Sequence, residues 1–133
     1  MKIALTLLLF FTFAFSDDLG WSHDYKATQH KALKSGKLIY TLITSESCRW
    51  CRKFESTTLQ DKKILKRLYE EFEVVHISRD KDYVPKEFET SPVPRHYFTT
   101  AQGEIVYSSL GHRGVECFDS FMDNAHNDTK TDK

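Results

Sequence analysis

An excess of charge of one sign is the first thing this sequence lacks. Its 133 residues carry 19 Lys and Arg against 19 Asp and Glu, a formal net charge of zero, with the two signs interspersed. No basic stripe is present to neutralise a run of phosphates, which argues against nucleic acid as a partner. Proline and glycine are sparse, at 3 and 5 residues, and no internal repeat or low-complexity linker interrupts the chain. The apolar fraction of 40% and charged fraction of 29% are those of a globular chain, and the length suits one domain around one core. Such a chain is expected to act as a monomer. Cysteine is scarce too: there are three, so at most one pair forms within the chain and one thiol, Cys117, is left over on the pairing of Cys48 with Cys51.

Long apolar runs are also missing, apart from Ile3 to Phe15, which is free of charge and follows Lys2. This run falls short of the about 20 apolar residues that span a bilayer. With small residues at Ala14 and Ser16 and an abrupt Asp17-Asp18 behind it, the run reads as a secretory signal cleaved near Ser16. No cysteine ends it, so a lipid anchor has no attachment point and no stable membrane anchor is expected. Residues 1–16 are thus assigned to a leader, 17–126 to the domain and 127–133 to a disordered tail. Export to the periplasm or a comparable compartment follows, where cysteines are normally paired, protected or catalytic.

The rest of the chain alternates short periodic segments. Asp24 to Ser35 suits a helix, with Asp24 as cap and Gly36 as terminator. Lys37 to Thr44, KLIYTLIT, lacks clean alternation and reads as a central strand covered on both faces. Ser45-Glu46-Ser47 is a loop leading into a helix from about Cys48 to Thr58. A second helix from Asp61 to Phe72 puts Ile64, Leu65, Leu68 and Phe72 on one stripe. Strands follow at Glu73–Ser78, Arg95–Thr100 and Glu104–Leu110, the last two joined by a hairpin at Ala101-Gln102-Gly103, with a helical turn after Pro85 between the first two. Val115 to Ala125 closes the chain with a stripe of Phe118, Phe121, Met122 and Ala125, and the segment from His126 is expected to fray. This order implies an α/β fold with a mixed sheet of about four to five strands between helices.

Chemistry concentrates in Cys48-Arg49-Trp50-Cys51, a CxxC pair between a central strand and a helix start. The unsatisfied N–H groups and positive dipole end of a first helical turn stabilise an anion, and Arg49 adds positive charge. Such surroundings lower a cysteine from about 8.5 to between roughly 3.5 and 7.5, so Cys48 is the expected nucleophile. Cys51, one turn inward, is the expected resolving thiol, which attacks the mixed disulfide formed by Cys48. Trp50 offers an aromatic surface where a substrate backbone can lie.

From about His30 to Asp80, and again over TSPVPRHYFTTAQGEIVYSSLGHRGVECFDSF, the sequence resembles the thioredoxin-like family, in its branch with Trp before the second cysteine. The resemblance implies a thioredoxin-like fold, thiol-disulfide oxidoreductase activity on protein thiols or disulfides, and a protein electron donor or acceptor. It also implies that Pro94 is the family's cis-proline, packed against the CxxC pair, and that the Val93 backbone pairs with a bound substrate strand. Pro92 is then expected only to stiffen the approach. Two departures stand out: KLIYTLIT lacks the buried acid that classical thioredoxins carry in this strand, and Arg95 replaces the frequent Thr after the proline, adding a cation.

Blander readings of the same residues fit less well. A structural CxxC disulfide closes so short a loop that it constrains the unfolded chain little. Zinc needs about four ligands, and only Cys117 and scattered histidines remain. Arg52 stands where c-type haem attachment requires His. No cofactor or metal is therefore expected. Cys117, beside an apolar stripe, is expected to be buried and inert. His76, Trp21 and Tyr25 read as structural, and His96 as either near the site or a satisfied core histidine. The rival functional class is a redox-inactive module of the same fold that holds a peptide.

Overall fold

A computed structural model describes residues 19–131 of the chain. The leader and its cleavage point near Ser16 lie outside the described residues. Among the described residues, four helices and four strands follow in the order α1 (Tyr25–Ser35), β1 (Leu38–Thr44), α2 (Arg49–Ser56), α3 (Lys62–Glu71), β2 (Phe72–Ser78), β3 (Arg95–Thr99), β4 (Ile105–Leu110) and α4 (Val115–Thr131), with a 3-10 turn at Thr58–Gln60. The strands form one mixed sheet in the order β2-β1-β3-β4. β1 runs parallel to β2, with Leu38 opposite Phe72, and antiparallel to β3, with Leu42 opposite His96.

Local chemistry sets the element ends. The Asp24 carboxylate accepts from the Ala27 N–H at 3.0 Å, and Gly36 takes a left-handed φ of 72° while its N–H returns to the Ala32 carbonyl. That conformation is open to glycine at no Cβ cost, so the chain reverses there into β1. Asp61 caps α3 by accepting from both Lys63 and Ile64 N–H groups.

β1 is central and covered on both sides, as its lack of alternation predicts. Ile39 and Ile43 face a cluster with Tyr25, Ala32, Val75, Ile77, Phe88 and Tyr97, while Tyr40 and Leu42 face Phe54, Leu68, Phe72, Phe98 and Phe118. Trp21 and Tyr25 are buried packing residues. Of the α3 stripe, Ile64 and Leu68 are fully buried and Leu65 lies at its edge, half-buried.

Three expectations are corrected. No helical turn follows Pro85; the segment closes instead through the Phe88 N–H on the Pro85 carbonyl, with the Phe88 ring stacked on Tyr97 at 4.6 Å and edge-on to Tyr25 at 5.0 Å. Burying Phe88 between those rings, with the Glu89 N–H bonded to the Tyr97 hydroxyl, pins the loop without repetitive structure. The tail expected to fray from His126 is helical to Thr131. Its His126 ring meets Glu71 at 2.9 Å, which ties the start of the tail to α3, while Arg67 binds Glu71, Asp119 and Asp123 and joins the preceding turns of the same helix to α3. Cys117 is exposed, not buried.

Candidate active site

The turn at the C-terminal end of β1 delivers Cys48 to the cap position of α2. Its backbone is extended (φ −96°, ψ 105°), and its Sγ accepts the Cys51 N–H at 3.0 Å. Cys48 and Cys51 are joined as a disulfide, with Cα atoms 5.2 Å apart. Cys48 is half-buried while Cys51, one turn along, is 1% exposed. Cys48 is thus the more accessible of the two residues.

Val93 and Pro94 sit across from this pair, where the pinned loop enters β3. The Val93 carbonyl oxygen lies 3.7 Å from Cys48 Sγ, and the Val93–Pro94 bond is cis. Ser91–Pro92, expected only to stiffen the approach, is cis as well. A shallow groove of 280 Å³ runs beside the sulfurs, lined by Trp50, Val93, Pro94, Gly111 and His112. Trp50 is 47% exposed, with the Arg49 guanidinium 5.0 Å and the Lys53 ammonium 5.3 Å from its ring centre. Its indole stacks on His112 at 6.1 Å and 21°. Burial, Lys53 and Arg113 together hold the His112 imidazole below the usual histidine range.

Gly111 and His112 escape a reading of the sequence, since nothing in GHRG shows that it returns to the N-terminus of α2. His96 explains how they are held. It is fully buried, its Nε2 lies 2.8 Å from the Gly111 carbonyl and its Nδ1 lies 2.8 Å from the Tyr40 hydroxyl. A carbonyl can only accept, so Nε2 carries the proton and Nδ1 accepts from Tyr40. The Gly111 N–H in turn donates to the Pro94 carbonyl at 2.8 Å. A chain of bonds therefore links Tyr40, His96, Gly111 and Pro94, and places the groove's two sides relative to each other. Burial pushes His96 down to about 4, which keeps it neutral. Burial also pushes Tyr40 well above its ordinary value, so the phenol stays a donor.

Arg95 does not serve as a free cation. It pairs with Glu89 at 2.8 Å and donates to the Pro92 and Ser91 carbonyls, so its charge is spent on bracing the loop before Pro94.

An acid, Glu55, stands on α2 near the site. Glu55 lies one turn beyond Cys51 and 3.4 Å from His76 Nε2, which also meets Thr44 Oγ1 at 2.7 Å. Burial raises the Glu55 carboxyl above its ordinary value, partly opposed by Arg52. A raised folded-state value favours the protonated form, so the stabilisation it gives is complete at low pH and lost as pH rises through that value. Glu55→Gln is therefore expected to raise the thermal midpoint at pH 7 and to change it little below pH 4. Equal midpoints at pH 7 would show that His76 and Arg52 fully offset the burial of the carboxylate.

With the cap cysteine, the buried partner and the cis-proline loop in place, the fold is thioredoxin-like. Solved structures similar to it include a thioredoxin from Thermus thermophilus, with a TM-score of 0.66 and 19% identity over 80% of this chain and 86% of that one. The DsbH oxidoreductase is similar at a TM-score of 0.66 and 17% identity, over 93% of this chain and 95% of that one. The oxidised C-terminal domain of DsbD from Neisseria meningitidis is similar at a TM-score of 0.66 and 18% identity, over 79% and 98%. At these identities the likeness is one of fold. No protein-family model and no curated protein matches the sequence.

Proposed function

We infer that the chain is a thiol-disulfide oxidoreductase acting on protein thiols or disulfides through Cys48 and Cys51. The observation that carries this reading is the cap geometry. The Cys51 N–H already points at Cys48 Sγ, so a thiolate formed there inherits a hydrogen bond and the positive end of α2. Beside it, the groove gives a substrate segment a place to lie, with Val93 backbone at its edge and the Trp50 ring on its wall. Support for the class also comes from the DsbH oxidoreductase and from the DsbD C-terminal domain, solved in its oxidised form, which share the fold.

In the reducing direction the Cys48 thiolate attacks a substrate disulfide, one substrate sulfur leaves as thiolate, and a mixed disulfide forms. Cys51 then loses its proton and attacks Cys48 Sγ, which releases the second substrate thiolate. Two electrons pass from the dithiol to the substrate, and the protein is left as the Cys48–Cys51 disulfide. The four-residue spacing that puts Glu55 on the same side of α2 as Cys51 supports it as the carboxyl that exchanges that proton. The run Ile3 to Phe15 supports action after export, in the periplasm or a similar oxidising compartment.

The reduced protein is expected to alkylate at Cys48 first at mildly acidic pH, as read by mapping the labelled peptide, and to equilibrate with glutathione as a two-electron couple. A potential near about −270 mV marks a reductant and one near about −120 mV an oxidant. Preferential labelling of Cys51 or Cys117 would overturn the assignment of the nucleophile. A dithiol that never exchanges with glutathione would favour the peptide-holding alternative.

A further inference from the structure

The sulfurs sit within an uncompensated cationic collar. Arg49 and Lys53 lie on the exposed side of α2 against Trp50, and Arg113 follows His112 on the facing wall, anchored where its carbonyl accepts from Thr58 Oγ1 at 2.6 Å. Among the described residues none of these three cations forms an ion pair. Of the carboxylates on the segments around the groove, Glu89 is answered by Arg95, Glu46 by Lys81, and Glu55 faces His76, which leaves the exposed Glu116, in the first turn of α4, as the acid nearest in sequence to Arg113. The fields of Lys53 and Arg113 meet at His112, where both disfavour a further positive charge. Between these cations the groove itself is apolar and aromatic, lined by Trp50, Val93 and Pro94. Free positive charge around a shallow groove attracts anionic segments and raises their encounter rate, an effect that salt screens.

We propose that the groove beside Cys48 selects protein segments carrying Asp or Glu next to the reacting cysteine, with Lys53 and Arg113 as the specificity-determining cations. This substrate class rests on the redox reading above. It assigns the selectivity to α2 and the 111–114 loop, not to Arg95, whose charge is internally paired.

Two peptide disulfides of one core sequence, flanked by Glu in one and by Lys in the other, provide the test with the reduced full-length protein. The Glu-flanked peptide is expected to be reduced faster in kcat/KM by on the order of tenfold at low salt, with the ratio falling toward one near about 0.5 M salt. Taking the ratio cancels any change in Cys48 nucleophilicity. Lys53→Glu with Arg113→Glu should invert the preference, while Lys26→Glu on α1 should leave it intact. Equal rates with both peptides at low salt, or a preference for the Lys-flanked one, would overturn the proposal while leaving the redox reading standing. Reduction of neither peptide, together with failure of the oxidised protein to oxidise either dithiol form, would overturn the redox reading, and the substrate class with it.

Discussion

Cys51→Ser is expected to stop catalytic turnover while leaving the first chemical step intact, so that a mixed disulfide accumulates through Cys48. The physical basis is the division of labour between the two sulfurs. Cys48 is half-buried at the cap of α2, where the Cys51 N–H meets its Sγ, whereas Cys51 is covered and needs only to reach Cys48 across a Cα separation of 5.2 Å. Serine retains the backbone N–H that favours the thiolate but cannot displace the bound partner. Insulin-reduction rates should fall by on the order of a thousandfold or more in both Cys51→Ser and Cys48→Ser, because nucleophile and resolving group act as one unit. Only Cys51→Ser should yield covalent adducts that a reducing agent releases. Capture by Cys48→Ser and not by Cys51→Ser would reverse the roles, and capture by neither would remove the pair from the chemistry.

Acid should destabilise the protein through His96, a residue that never touches substrate. Its pKa falls from 6.5 to about 4 in the folded state, chiefly because burial disfavours the cation. A depressed value gives stability that is complete above the unfolded-state value and lost as pH falls through the folded-state one. Between pH 7 and about 4 the loss amounts to about 3 kcal/mol, since each tenfold change in proton affinity is worth about 1.4 kcal/mol. His96→Phe abolishes this titration but leaves the Tyr40 hydroxyl and the Gly111 carbonyl without their partners, at about 1–3 kcal/mol for each buried group. The variant should thus be clearly less stable than the parent at pH 7 and much closer to it at pH 4. His96→Gln, which can both donate and accept, should recover part of the loss at pH 7. Urea denaturation of the three proteins at both pH values measures this; parallel losses in all three would exclude His96 as the source of the acid sensitivity.

Much of the fold was legible because it is set locally. Asp24 and Gly36 delimit α1 through contacts within a turn, and the lack of apolar-polar alternation in LIYTLIT points to a strand covered on both faces. The cap position of Cys48 was readable for the same reason: small polar residues after a strand and before a helical stripe mark a helix start. Pro94 came from the family pattern, and no local rule would have placed it against Cys48. Cys117 shows where local reading stops. It precedes Phe118 on α4, about 100° round the helix, and periodicity identifies the apolar face without fixing how far burial extends from it. The tail failed similarly, because its helix is held by His126 and Glu71, which are 55 residues apart.

What the sequence by itself determined is the order of the four strands and the four helices, the central place of β1 and the position of the CxxC pair at a helix terminus. Each of these depends on interactions spanning one or two turns or on the period of apolar residues. The tertiary structure alone decided that His96 ties Gly111 to Tyr40, that His112 stacks on Trp50, that Arg95 is neutralised by Glu89 while Lys53 and Arg113 are not, and that Glu55 meets His76. These are pairings between segments distant in the chain, and a charge or a ring acquires its role from the partner that folding brings beside it.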